Sequence, residues 1–232
     1  MIRALAEYEE WLEHSRSGMS FFPDFTDHGI GHLQAVLDLS EALVADGSHG
    51  RPNTWAVLTP GDAATLVLAT LAHDVGMHLT PDGFLALVAS SAEAPTIPDF
   101  DKKLWPQLWE EFLGEARRWD GKTLKRIFGE AVTTRPNSRP AVRRPPENPE
   151  YWDKLDLRLI GEFARRHHPR IAHEIALAGW PASSGDSPPP LKLDLTGEFS
   201  ELADLAGLVA RSHGLELRDT LGYLAKHHFN TL

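Results

Sequence analysis

The sequence predicts an all-α helical bundle, and three observations predict it. Apolar residues recur at helical spacing, as in Leu5, Tyr8 and Leu12, or in Leu33, Val36, Leu37, Leu43 and Val44. No stretch shows the strict apolar–polar alternation of a half-buried strand. Helix start and stop signals punctuate the chain from end to end. At 232 residues with 42% hydrophobic content, the chain reads as one globular domain spanning 1–232.

Met1 to about Arg16 reads as a first amphipathic helix. Thr26 or Asp27 can cap a second one running to about Ala45. Thr59-Pro60-Gly61-Asp62 supplies a cap, a proline at the first helical position and an acid three residues after the cap. The helix that follows, Asp62 to Val75, is apolar on nearly every side, which places it centrally, and Gly76 is a natural stop. A short helix is expected from Lys103 to Trp119 and another from Trp152 to Arg166. Pro169 cannot continue the latter, so a new helix starts there and ends before Gly179. Ser200 caps the next, which carries Leu202, Leu205, Leu208 and Val209 and stops at His213-Gly214; a last helix covers Leu217 to Lys226. Two Pro-rich stretches, within 120–150 and 181–198, read as flexible loop insertions in one domain rather than as linkers.

Composition excludes several classes. The chain has no cysteine, so disulfides, thiolate metal sites and cysteine nucleophiles are ruled out. No apolar run is long enough for a transmembrane helix, and the acidic, amphipathic N-terminus is unlike a signal peptide. A cytoplasmic protein without a membrane partner is expected. The net charge of −10 argues against a general nucleic-acid surface. Arg117 to Arg144 nevertheless carries a local excess of +7, which can attract phosphates or can be simply solvated.

The chemistry concentrates in histidines. His73 and Asp74 stand side by side near the end of the apolar helix, in LATLAHDVGM. Burying such a pair without a partner is costly, so it is normally matched or metal-bound. His28 and His32 lie one turn apart on one helix face. Imidazole and carboxylate together suit Mn, Fe, Ni, Zn or Mg, and a carboxylate with two oxygens can bridge two cations. Further histidines occur at His167-His168 and His213. His78, His173, His14, His49, His227 and His228 read as surface or satisfied side chains, and Asp27 as a cap or an orienting partner of His32.

These residues resemble the HD superfamily of metal-dependent phosphohydrolases. TDHGIGHLQAVLDLSEAL is similar to its first helix, with His32 at the signature position, and LATLAHDVGM is similar to its doublet segment. FPDFTDHGIGH and AHDVGM also resemble a subgroup associated with chaperone-type ATPase modules in bacteria. The resemblance implies an HD-type fold and one or two divalent metal ions. It places His32, His73 and Asp74 around the first ion, with Asp74 as the catalytic carboxylate bridging to a second. His168 and His213 would hold that second ion, with His28 accessory; His167 is the alternative to His168. Arg165, Arg166, Arg170 and Arg211 lie near these positions in sequence, and Arg166, Arg170 and Arg211 would contact the phosphate.

The implied activity is hydrolysis of a nucleotide or cyclic nucleotide. The alternatives are a catalytically weak sensory module signalling to an ATPase domain or partner chain, and a metal-dependent nuclease. The sequence departs from the family pattern in three places. Gly214-Leu215-Glu216-Leu217 replaces the GYP loop of cyclic-dinucleotide phosphodiesterases. Met77 replaces the usual lysine. The closing Asp has no counterpart, Glu216 and Asp219 being the only later acids. On this basis 1–232 is expected to be the front of a larger HD domain, holding metal weakly.

Overall fold

The computed structural model describes residues 21–22, 29–45, 58–89, 101–129, 142–178, 200–216 and 219–220. Among them the chain is all-α. Its helices are α1 (Ile30–Ala45), α2 (Pro60–Ala72), α3 (Pro81–Ala89), α4 (Trp105–Ala116), α5 (Gly121–Phe128), α6 (Lys154–Ala178) and α7 (Ser200–Ser212). Single 3-10 turns span Val75–His78 and Pro149–Tyr151. No helix among the described residues is long and apolar enough to cross a membrane. The helices expected over 1–16 and 217–226, the caps at 26–27 and the 181–198 insertion lie outside the described residues or almost wholly so, as do His14, His28, His49, His227 and His228.

Helix α2 starts as its sequence dictates. The Thr59 hydroxyl accepts the Asp62 N–H at 3.2 Å, and the Asp62 carboxylate accepts the Thr59 N–H at 2.7 Å, closing both halves of a capping box. The helix ends at Ala72, earlier than expected, with His73 as its C-terminal cap. Gly76 is therefore not the stop; it lies inside the 3-10 turn that follows.

Helix α6 forms the axis of the core. Leu159, Ile160, Phe163, Ala164, Ile171 and Ala172 are all buried. The Phe163 ring meets Trp109 at 5.0 Å, Phe112 at 5.3 Å, Phe84 at 6.2 Å and Trp105 at 6.2 Å between centroids. Edge-on aromatic packing of this kind adds about 0.5–1.5 kcal/mol per pair beyond area burial. A second cluster joins α2 to α7 through Leu68, Ala69, Ala72, Ala206 and Ala210. Its small side chains let the two backbones approach, next to the His73-Asp74 doublet.

Several expectations are corrected here. Helix α6 runs unbroken through Pro169, although a break was expected; the carbonyl that the proline strands has found another donor, described below. Within 120–150, α5 is a regular helix: the Asp120 carboxylate caps it by accepting the Thr123 N–H at 2.7 Å, and Leu124 and Phe128 bury its narrow apolar face. Two apolar anchors in a highly charged stretch are too few for a periodic signal. Residues 142–148 are also tied down, Arg143 to Asp153 and Asp156, and Arg144 to Glu110. Helix α4 is shorter than the expected Lys103–Trp119.

A further correction concerns α1, where only Leu33 is buried, while Leu43 is 70% exposed and Leu39 is 61% exposed. Periodicity says which side chains share a face, not what covers it. His78 and His173 are each buried at 2% exposure, which excludes the surface alternative for them.

Candidate metal centre

Four segments deliver donors to one point: the start of α1, the end of α2, the middle of α6 and the end of α7. Asp74 lies at the centre, nearly buried. Its Oδ2 is 3.2 Å from His32 Nε2 and 2.9 Å from His73 Nε2. Its Oδ1 is 3.3 Å from His168 Nε2 and 3.6 Å from His213 Nε2. Each carboxylate oxygen thus faces its own pair of imidazoles. Within the pairs, the Nε2 atoms are 3.4 Å apart for His32 and His73, and 2.7 Å apart for His168 and His213. The donor atoms of His32, His73 and Asp74 form one group and those of Asp74, His168 and His213 another; within each group all lie within 4.8 Å of one another.

The orientation of three of these rings has a common cause. His73 Nδ1 is 2.6 Å from the Thr70 carbonyl, and His168 Nδ1 is 2.7 Å from that of Arg165. His213 Nδ1 meets the Ala210 carbonyl in the same way. Each acceptor lies three residues back, where the helix ends or is interrupted. At α7 the Gly214 N–H turns to the Arg211 carbonyl, which leaves that of Ala210 for the imidazole. At α6 the missing N–H of Pro169 leaves that of Arg165. A carbonyl can only accept, so Nδ1 carries the proton and Nε2 presents its lone pair to the centre.

This geometry passes a chemical test for a cation. With Nδ1–H donated to backbone, His168 and His213 aim two lone pairs at each other across 2.7 Å beside a carboxylate oxygen. Such an arrangement is repulsive unless a proton or a cation is shared among them. Two imidazoles and one carboxylate oxygen on each side is a donor set that suits a divalent ion.

Without a cation, protons on the imidazole Nε2 atoms take its place, and the titration of the groups reflects that protonated form. Burial alone would raise the Asp74 pKa, but hydrogen bonds from His168 and His73, and their charges, hold the carboxyl well below the usual range. Burial opposes charging of His73; its bond to Asp74, that carboxylate's charge and the Thr70 carbonyl outweigh this and raise its pKa. Burial dominates at His213 and lowers its pKa.

Two glycines make the convergence sterically feasible. A Cβ on Gly76 would lie 2.6 Å from the His168 carbonyl oxygen and 2.9 Å from its Cα. A Cβ on Gly214 would collide with the Pro169 ring. The turn after the doublet rests on the His168 backbone, and the residue just past α7 rests on the Pro169 ring.

The structure brings together His32, His73, Asp74, His168 and His213. It does not describe His28. Of the two neighbouring histidines, His168 faces the centre. His167 packs against Phe163 and Trp105, at 4.7 and 5.8 Å between centroids, and burial followed by the charges of Arg170 and Arg166 lowers its pKa to about 4.

The three arginines expected to contact phosphate are engaged elsewhere. Arg166 pairs with Glu115 at 2.8 Å and Glu162 at 3.0 Å and lies over the Phe112 and Trp119 rings. Arg170 bonds Glu174 at 2.8 Å and the Lys103 carbonyl at 2.9 Å and lies 4.4 Å from the Trp105 ring centre. Arg211 forms a two-armed pair with Asp101 at 2.8 and 2.5 Å. A partly buried guanidinium meets its charge with the nearest carboxylate, and here those carboxylates come from the protein. Asp101, Glu162 and Glu174 were missed by sequence reasoning. Only Glu162 and Glu174 left a trace, as acids three or four positions from an arginine.

Glu216 and Asp219 are both exposed, and neither belongs to the ligand groups found among the described residues. A family model described as HD-CE matches residues 22–231 of the chain. No curated protein and no solved structure matches it.

Proposed function

The chain belongs to the HD-CE family, and from that premise we propose that it is a metal-dependent phosphohydrolase acting on a nucleotide or cyclic nucleotide. The observation that carries this reading is the two-sided use of Asp74, whose Oδ2 faces His32 and His73 while its Oδ1 faces His168 and His213. Divalent ions held in this way supply Lewis acidity and a water of lowered pKa, the requirements for attack on phosphorus.

The residues of the chain do the remaining work. His73, His168 and His213 are locked by backbone carbonyls into the tautomer that presents Nε2. Asp74 stays ionised and links the two halves. His32 closes the first half from α1. The nearby arginines hold the scaffold.

A second reading is favoured by one observation. Among the described residues, Asp74 is the sole carboxylate in either ligand group. A centre this poor in carboxylates suits a module that binds metal or nucleotide with little turnover and signals to an ATPase partner. The test is metal analysis of the purified protein together with a panel of nucleotide and cyclic-nucleotide substrates in Mn²⁺, for the native chain and Asp74→Ala. Hydrolysis that is lost with Asp74→Ala supports the enzyme. Metal or nucleotide binding without turnover supports the sensory module, and neither binding nor turnover defeats both.

A further inference from the structure

Outside the centre, a cluster of buried charge surrounds Asp101. Its carboxylate is 2% exposed, accepts both arms of Arg211, and lies 3.4 Å from Arg170 Nε. These two arginines have particular places in the sequence. Arg170 follows His168 by two positions, and Arg211 precedes His213 by two. A step of two residues turns a helical side chain by roughly 200°. Each arginine therefore leaves its chain on the side away from its histidine. The histidines meet beside Asp74, and the arginines meet at Asp101.

Arg170 has a further grip. Glu174 holds its Nε at 2.8 Å and is itself fixed by the Trp105 indole N–H at 2.5 Å; the Lys103 carbonyl holds Nη1. The 101–105 segment thus clasps α6 and α7 from behind at the level of His168 and His213.

We propose that Asp101 is a positioning residue for the His168–His213 half of the centre. Resting on the metal reading above, it adds a division of labour. By drawing Arg170 and Arg211 to one carboxylate, Asp101 sets the spacing of α6 and α7, and with it the separation of the two Nε2 atoms beside Asp74 Oδ1. His32 and His73, carried by α1 and α2, are outside this clasp. Loss of the Asp101 charge takes the two-armed grip from Arg211 beside the Arg170 guanidinium, which keeps Glu174, and it opens one half of the centre selectively.

The test is titration of the native chain, Asp101→Asn and Asp156→Asn with Mn²⁺ by calorimetry. Asp156 is as buried as Asp101 and is gripped by Arg143, but it lies in the first turn of α6. It therefore controls for the loss of any buried ion pair. In Asp101→Asn the affinity of one ion falls by about tenfold or more while the other stays within about twofold. Asp156→Asn lowers the melting temperature without that split. Equal weakening of both ions by Asp101→Asn, or no weakening, overturns the proposal.

Should Asp101→Asn not fold, Arg211→Lys keeps the charge and loses the two-armed grip. It gives the same one-sided loss in milder form, and unchanged affinity for both ions there overturns the proposal. Should the native chain bind no Mn²⁺, the metal reading fails by itself. The positioning role is then decided on metal-free protein by long-range ¹H–¹⁵N spectra of the imidazoles. Shifted Nε2 resonances at His168 and His213 with an unchanged His73 support it, and unchanged spectra overturn it.

Discussion

His168 and Pro169 act as one unit. The proline removes the N–H that would have bonded the Arg165 carbonyl, and the His168 Nδ1–H takes that carbonyl at 2.7 Å. A residue that ordinarily breaks a helix here aims an imidazole instead. The helix continues because its stranded acceptor is satisfied, and the ring is fixed because it provides the donor.

Pro169→Ala restores the competing N–H while leaving α6 intact. We expect the fold to persist and the affinity for the ion nearest His168 to fall by about tenfold. Calorimetric Mn²⁺ titration measures this. Unchanged affinity would mean that the proline serves packing alone.

The Gly76 contact gives a steric prediction. An alanine there meets backbone atoms of His168, which cannot swing aside, so Gly76→Ala should cost about 1–3 kcal/mol and weaken metal binding. Gly114, inside α4, would find nothing within 4 Å of an added Cβ. Gly114→Ala should be neutral or stabilising by about 0.5–1 kcal/mol. Urea unfolding of both variants separates the cases, and similar values would contradict the close-approach argument.

The centre should come apart by halves. Asp74→Ala is expected to abolish all metal uptake, His73→Ala to remove the ion between α1 and α2, and His168→Ala to remove the other. His173→Ala and His78→Ala should lower stability, both side chains being buried, and leave metal content nearly unchanged. Mass spectrometry of the purified variants reads the stoichiometry. Uniform loss across all five would defeat the assignment.

His167 predicts a pH dependence. Its folded pKa is lowered from 6.5 to about 4 by burial and then by Arg170 and Arg166. Below 6.5 the unfolded chain takes up a proton that the folded chain refuses. This contribution to stability is therefore complete above 6.5 and is lost as pH falls toward about 4. His167→Phe keeps a ring against Trp105 and Phe163 and should flatten that slope in unfolding measurements over this range. An identical slope in both proteins would show that other groups cause it.

Several features were legible because their causes are local. The Thr59–Asp62 capping box, the apolar α2 and the histidine spacing follow from residues within a turn or two of each other. The continuity of α6 was not legible, because it depends on where one imidazole proton goes. Helix α5 was hidden by its charge, and its buried anchors Leu124 and Phe128 matter only once the core lies against them. Leu43 shares the periodic face of α1 with Leu33, yet only Leu33 is covered among the described residues.

The amino-acid order by itself determined the all-α class and offered His32, His73, Asp74, His168 and His213 as candidate donors, with His167 as the alternative to His168. It did so because helical periodicity and ligand chemistry are properties of side-chain type and spacing. Tertiary structure alone decided which donors share which oxygen of Asp74, and that His168 rather than His167 faces the centre. It also decided the fate of the arginines. Arg211 finds its carboxylate 110 positions away, at Asp101, and Arg166 adds Glu115, 51 positions away, to the local Glu162. A buried charge must be met wherever the folded chain brings its opposite, and no local pattern records where that is.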